Sequence, residues 1–488
     1  MKFSRAYLED KIHACWLGKN IGGTIGTPYE GRHDILDVKG FITKKGEPLA
    51  NDDLDLQMAW LKCMDDLGPE QVNSKTLGEY WLSYVKPHWC EYGVCKANMR
   101  AGFVPPVSGE IFNNEWKHSN GAWIRTEIWA CLYPGQVEKA IKYAFEDASV
   151  DHGFGEGTYA AIFVAAMESA AFLFDDIRVI LNIALSKIPE DCRIAKAVRL
   201  VIEEFDKGTD WKVTRNMLVE QSADIGWFQA PANVAFSVLG LLYGGCDFKK
   251  SMLTAVNCAD DTDCTAATVG ALLGIMYGSK GLPEDWVEFL GDKIVTGCLL
   301  FGHCHFPETC TELTENVMNL HPVTLRTSMQ QLYKGKKVDI CDENDFSDVT
   351  AESLMGTKFV DELKRRTPCS FTAENVMATA YLNFDEEPVI TEEKPLTGYV
   401  YIMPRILPES RKWTLRWILP EGWKVKCRGM ISTNNNLDFA QETNKENCES
   451  RFTITCCENP KPENDLLLDI YAPDRPTHLV LPIKVIVG

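Results

Sequence analysis

Two short acidic stretches hold the residues best suited to chemistry. One is Cys258-Ala259-Asp260-Asp261-Thr262-Asp263-Cys264-Thr265, with three carboxylates crowded between positions 260 and 263. Carboxylates this close repel one another, and none can be buried unless something neutralises it. Yet the following residues, Ala266 to Gly274, are small and apolar and read as a closely packed helix. Acids leading into a buried helix need a cation, and oxygen donors of this kind suit Mg²⁺, Ca²⁺ or Mn²⁺ rather than a soft metal. The second stretch, Ala50-Asn51-Asp52-Asp53-Leu54-Asp55, leads into a helix with an apolar stripe at Leu56, Met58, Ala59, Leu61 and Met64. A solvated loop with a capping aspartate would explain either stretch alone. Facing each other, the two would supply carboxylates for a pair of hard cations roughly 3.5–4 Å apart.

Other segments stand in order around these two. They are Gly22-Gly23-Thr24-Ile25-Gly26-Thr27-Pro28-Tyr29-Glu30, Asn120-Gly121-Ala122-Trp123-Ile124-Arg125 and Val150-Asp151-His152-Gly153. Together with the acidic stretches, the set spans residues 5–280 and resembles the ADP-ribosylglycohydrolases, an all-helical family that includes the dinitrogenase-reductase-activating glycohydrolase. Asn51-Asp52-Asp53 stands where that family has a threonine and two metal-binding aspartates, and Asp261-Thr262-Asp263-Cys264 resembles its D-T-D-T/S motif. The resemblance implies two Mg²⁺ ions, or Mn²⁺, held by Asn51, Asp52, Asp53, Asp261, Asp263 and Cys264. It also implies catalytic roles for Glu30, Asp53 and Asp261, with substrate contacts at Gly121, Trp123, His152 and Gly153. Three departures stand out: Gly23 replaces an aspartate, Leu54 follows the first acids, and Cys264 replaces a hydroxyl. A thiol is a poor ligand for Mg²⁺, so Asp261, Asp263 and water are expected to carry the second ion.

The elements that must position these residues are mostly helical. The pattern predicts a first helix from Ser4 to Leu17 stopped by Gly18, then a glycine-rich loop reaching Glu30. Residues 99–125, rich in Gly and Pro, suggest a long loop over a cleft. Trp123 and its neighbour Trp116 suit either a stacked base or the core, and the core is the commoner place for an aromatic. His152 is expected in a helix-entry loop, as a structural cap or a substrate contact. Ile225-Gly226-Trp227-Phe228 reads as a turn with a core tryptophan. Helices are expected to continue to about His303, and the group Cys298, His303, Cys304, His305 and Cys310 lacks the spacing of a zinc site.

From Cys369 the periodicity changes to strand-like runs at 399–403, 413–417, 423–427, 451–455, 466–470 and 479–487, separated by Pro, Gly and Asn turns. The expected architecture is therefore multidomain: an all-α catalytic domain over 1–340, a connecting segment with a short helix over 341–368, and an all-β immunoglobulin-like sandwich over 369–488. The phrase Leu-Pro-Glu-Gly-Trp at 419–423 is similar to loops of immunoglobulin-like accessory modules. A net charge of −19 argues against a general nucleic-acid surface. No apolar run reaches the length of a membrane span, and 18 cysteines without framework spacing suit reduced thiols in a cytoplasm. The expected activity is divalent-metal-dependent cleavage at C1 of a ribose, removing ADP-ribose from a modified substrate, with an ADP-ribosylated protein or a small-molecule riboside as the partner. The alternatives are hydrolysis of a simpler N- or O-riboside, or a silent member that binds ADP-ribose or serves structurally.

Overall fold

The computed structural model describes residues 3–300, 302, 304–325, 345–356, 359, 363, 365–391, 393–405, 411–433, 448–456, 460–473 and 475–488. His303 and residues 341–344 of the connecting segment lie outside them. The chain forms two compact units, one of residues 1–96 and 113–361, the other of residues 97–112 and 362–488.

The first unit is helical. Helix α1 (Arg5–Gly26) starts at Ser4, whose hydroxyl accepts from the Tyr7 N–H at 3.1 Å, and it is buried almost throughout from Ala14 onward. It runs through Gly18, where the sequence suggests a stop. The reason is its partner, α6 (Thr262–Tyr277), which is buried from Thr262 to Met276. A Cβ at Gly18 would lie 2.1 Å from the Gly270 carbonyl oxygen, one at Gly22 2.3 Å from that of Ala266, and one at Gly26 2.3 Å from that of Thr262. Glycines four apart therefore form a flat stripe along α1, and the two backbones touch over the length of both helices. These glycines serve close approach, not a loop.

Between these partners the chain adds α2 (Asp52–Leu67), α3 (Val137–His152), α4 (Glu156–Ala170) and α5 (Ala230–Tyr243), with further helices connecting them. Asn51 caps α2, its Oδ1 accepting from the Asp53 N–H at 2.7 Å. Helix α3 extends six residues beyond Glu146, so His152 ends a helix and is fully buried; it does not stand in an entry loop. The helical run stops at Leu290, short of His303, and a further helix, Cys310–Thr324, falls within the expected all-α stretch.

The second unit is built of strands β1 (Ser370–Glu374), β2 (Ala378–Phe384), β3 (Val389–Ile390), β4 (Leu396–Pro404), β5 (Arg411–Ile418), β6 (Lys424–Cys427), β7 (Met430–Thr433), β8 (Glu449–Thr455), β9 (Glu463–Tyr471) and β10 (His478–Val487). They form two five-stranded sheets, β1-β2-β4-β8-β6 and β3-β10-β9-β5-β7. All pairings are antiparallel except β3 with β10. Alternation along β4, β8 and β10 sends Val400, Ile402, Phe452, Ile454, Leu481 and Ile483 into a shared core, as a two-layer β architecture requires. Phe103, Val107 and Ile111, from the segment 97–112, complete that core. The chain is thus a helical part followed by a β-rich part, with one early segment spent on the later sheets.

Candidate metal centre

The two acidic stretches meet. Asp53, in the first turn of α2, and Cys264, in the first turn of α6, lie 3.3 Å apart from Oδ1 to Sγ. Donor atoms of Asp53, Asp263 and Cys264 all fall within 4.8 Å of one another, and so do those of Glu30, Asp261 and Asp263. Asp53, Asp261 and Asp263 stand at helix N-termini, where aligned peptide dipoles favour negative charge. The glycine stripe sets the spacing: α1 delivers Glu30 just past its end, and α6 begins at the opposing acids.

Burial makes this cluster costly. Asp53, Asp261 and Asp263 are at most 5% exposed. Desolvation pushes the carboxyls of Asp53 and Asp261 well above the usual range, with neighbouring carboxylates adding to it. Burial likewise raises Asp263 to about 6. Glu30 stands at the rim, its carboxyl turned into the cleft, where partial burial and then Asp263, Asp52 and Asp260 push it to about 8. Asp53 Oδ2, Asp261 Oδ1 and Asp263 Oδ1 are buried with no hydrogen-bond partner among the described residues. Buried carboxyl oxygens converging from two helices, two of them without a hydrogen-bond partner and the third 3.6 Å from Lys19 Nζ, fit a bound divalent cation.

Other residues hold the acids in place. The Tyr92 hydroxyl donates to Asp52 Oδ2 at 2.8 Å, and the Asn120 amide donates to Asp261 Oδ2 at 2.7 Å. Lys19, buried mid-α1, lies 3.6 Å from Asp53 Oδ2, donates to Glu127 Oε1 at 2.8 Å and to the Ile124 carbonyl at 2.7 Å. Gln57 spans Glu127 and the Asp53 carbonyl. Asp260 is a tether: its carboxylate accepts from the Phe228 N–H and, at 2.7 Å, from Asn233. Ala259 and Asp260 both adopt left-handed backbone, at φ 69° and 68°. Two such residues cost on the order of 1–2 kcal/mol each, offset by the bridge between Asp260 and Arg32. Asp55 does similar work, its Oδ2 accepting from the N–H groups of Gly297 and Cys298 at 2.6 and 2.7 Å.

The cleft above the acids has a volume of about 680 Å³. Glu30, Asn51, Asp52, Asp261, Asp263 and Cys264 line it, and so do Trp89, Trp116, Phe228 and Gly121. Among its described lining residues none is Lys, Arg or His. Three of the expected substrate contacts stand elsewhere. Trp123 is fully buried and donates its indole N–H to Asn120 Oδ1 at 3.1 Å. His152 is fully buried, with Nε2 3.1 Å from the Ser119 hydroxyl and Nδ1 2.9 Å from Asp151 Oδ1. Gly153 follows it with φ 52°. They support the cleft wall that Ser119, Asn120 and Gly121 form. Arg125 anchors the same wall through Asp147 and Asp151.

Sequence reasoning passes over Lys19, Tyr92, Asn120 and Asn233 as site residues. A cation between Trp16 and Ile21 on a buried helix, and an amide inside the apolar run Ala230–Tyr243, are the signals that mark two of them.

Fold and cleft define a two-part protein whose helical unit presents acid-bearing helix ends to a common pocket. A family model described as ADP-ribosylglycohydrolase matches residues 4–321, and the chain belongs to that family of hydrolases acting on ADP-ribose linkages. A 52-residue stretch is 42% identical to the ADP-ribosylarginine hydrolase Tri1 of Pseudomonas putida (strain GB-1), covering 11% of this chain and 14% of that protein. An uncharacterized protein of Archaeoglobus fulgidus is 23% identical over 304 residues, 59% of this chain and 93% of its own length. Among solved structures, an ADP-ribosylglycohydrolase-related protein complex aligns at 19% identity and a TM-score of 0.45, covering 65% of this chain and 99% of that one. Among the described residues no helix is long and apolar enough to cross a membrane, and every described cysteine is a free thiol.

Proposed function

We propose that the protein is a divalent-metal-dependent hydrolase that removes ADP-ribose from a modified substrate by cleaving the bond at C1 of the ribose. The observation that carries this reading is the meeting of Glu30, Asp261 and Asp263 in one cleft with Asp53 buried against Asp263, and with oxygens of Asp261 and Asp263 left without a hydrogen-bond partner among the described residues. Asp52, Asp53, Asp261 and Asp263 would hold two Mg²⁺ or Mn²⁺ ions, and Asn51 offers an amide oxygen already used as a helix cap. When bound, such ions supply Lewis acidity toward the sugar's vicinal hydroxyls and toward a water. Cleavage at an anomeric carbon builds positive charge on the sugar, which the surrounding carboxylates stabilise. Glu30, the most exposed of these acids, is our choice for the group that takes a proton. Trp89, Trp116 and Phe228 give the cleft apolar walls on which a planar group can stack and which limit water at C1.

One observation favours a second reading, hydrolysis of an N- or O-riboside without an ADP requirement. The described lining carries five carboxylates (Glu30, Asp52, Glu91, Asp261 and Asp263) and no cationic side chain to meet a diphosphate. The deciding experiment is hydrolysis of an ADP-ribosylated protein beside a set of simple ribosides, each with Mg²⁺ and with excess EDTA. ADP-ribose release that depends on Mg²⁺ is the expected result. Full activity in EDTA would remove the metal, and cleavage of the simple ribosides alone would establish the second reading.

A further inference from the structure

We infer that the two cation positions are chemically unlike, and that the one built with Cys264 selects a softer divalent ion than its all-oxygen neighbour. This rests on the reading that the acids hold divalent ions, and it adds which ions and where.

The two donor groups share Asp263 and otherwise differ. One consists of three carboxylates, Glu30, Asp261 and Asp263; the other pairs Asp53 and Asp263 with the sulfur of Cys264. Cys264 is 4% exposed, and its thiol donates to Asp53 Oδ1 at 3.3 Å. The cluster alone would not define a site. The buried Asp261 Oδ1 and the shared Asp263 Oδ1, with no hydrogen-bond partner among the described residues, are the independent sign that both groups are built around something absent from the chain.

Charge separates the two positions further. Lys19, paired with Glu127 at 2.8 Å, also lies 3.6 Å from Asp53 Oδ2, so the sulfur-containing group has a shared cation beside it. Among the described residues no cationic side chain lines the cleft around Glu30 and Asp261. The all-oxygen position therefore concentrates negative charge and suits a hard ion held mainly by electrostatics, such as Mg²⁺. The other offers less net charge and one polarisable donor, which gains little for Mg²⁺ and much for Mn²⁺, Co²⁺ or Zn²⁺. Metal binding there exchanges the S–H···O contact for a metal–sulfur bond and releases the thiol proton to water. The pair would then be mixed, one hard and one softer ion, with Asp263 common to the two donor groups.

The test uses the full chain, stripped with a chelator and loaded with Co²⁺ in the presence of excess Mg²⁺, beside Cys264→Ser and Cys264→Thr. Metal content and the sulfur-to-cobalt charge-transfer absorption are read, neither of which depends on hydrolysis. In the parent protein a single Co²⁺ per chain is expected to persist with that absorption. Both variants should lose the absorption, and their preference for Co²⁺ over Mg²⁺ should fall by at least about 10-fold, the scale reached even by substitutions outside the ligand shell. Thermal melts of the metal-free proteins guard against misfolding, the serine variant being the closest in size. Absence of the absorption in the parent, or an unchanged preference in both folded variants, overturns the inference while leaving a metal centre standing. A parent protein that binds no divalent ion at all removes both.

Discussion

Lys19 and Asp53 face each other inside the helical unit with neither reaching solvent. Removing one partner of a buried pair leaves the other uncompensated, at a cost of about 3–5 kcal/mol. Lys19→Met should therefore destabilise the metal-free protein by that order, since Asp53 and Glu127 both lose their cation. Saturating Mg²⁺ should restore part of the loss, and melting curves with and without the ion check this. The acids themselves give a pH prediction for the chelated protein. Burial and neighbouring charge raise Asp263 to about 6, Asp55 to about 7 and Glu30 to about 8 in the fold, all above the unfolded carboxyl range near 4. The folded state thus binds more protons than the unfolded one between about pH 4 and 8, so these groups lose stability as pH rises through that window. A bound divalent ion competes with those protons, so the gain in Tm on adding Mg²⁺ should grow from pH 5 to pH 8. At 100-fold over Kd that gain corresponds to about 2.7 kcal/mol, and a gain that shrinks with rising pH would contradict the metal centre. At this scale the acids are legible in the sequence, because three carboxylates leading into an apolar run must be neutralised if that run is buried. Tyr92, Asn120 and Asn233 are not, because a neutral side chain that orients an acid carries no mark of it in the sequence.

Helices α1 and α6 show where pattern reading goes astray. Glycine is a reasonable stop signal, since it costs about 1 kcal/mol in a helix interior. Four-residue spacing at Gly18, Gly22 and Gly26, set against Gly270, Ala266 and Thr262, is the subtler sign of two backbones in contact. Gly22→Val should force them apart and cost on the order of 1–3 kcal/mol as an overpacking substitution. Because the same contact sets Glu30 against Asp261 and Asp263, Mg²⁺ affinity should fall as well. Calorimetry of ion binding separates the effects: a lower Tm with unchanged affinity would mean the stripe serves packing alone. The strands are easier to read. Runs such as Trp413–Trp417 and Arg451–Thr455 alternate, and turn residues bound them. Strand β2 escapes the pattern because it is buried along its whole length, which erases the alternation that marks a one-sided strand.

The whole chain is less separable than its sequence order suggests. A cut after residue 365 leaves every cleft-lining residue in place but removes the strands that cover Phe103, Val107 and Ile111. Such a fragment should keep its Mg²⁺ response yet aggregate, since it bares an apolar patch. Replacing those three residues with serine in the fragment should improve its solubility without changing ion binding, and light scattering beside ion titration reads both. Loss of ion binding in a soluble fragment would mean the cleft depends on the β-rich unit.

The same segment imposes an order on synthesis. Residues 97–112 leave the ribosome about 250 residues ahead of the first part of the chain that belongs to their unit. At roughly 5–20 residues per second, that is a wait of about 10–50 s. During it Phe103, Val107 and Ile111 have no native partner, while the residues flanking them on both sides already belong to the helical unit. Strand β10 sits inside its sheet and runs to Val487, so these side chains are enclosed only after all the other strands have been made.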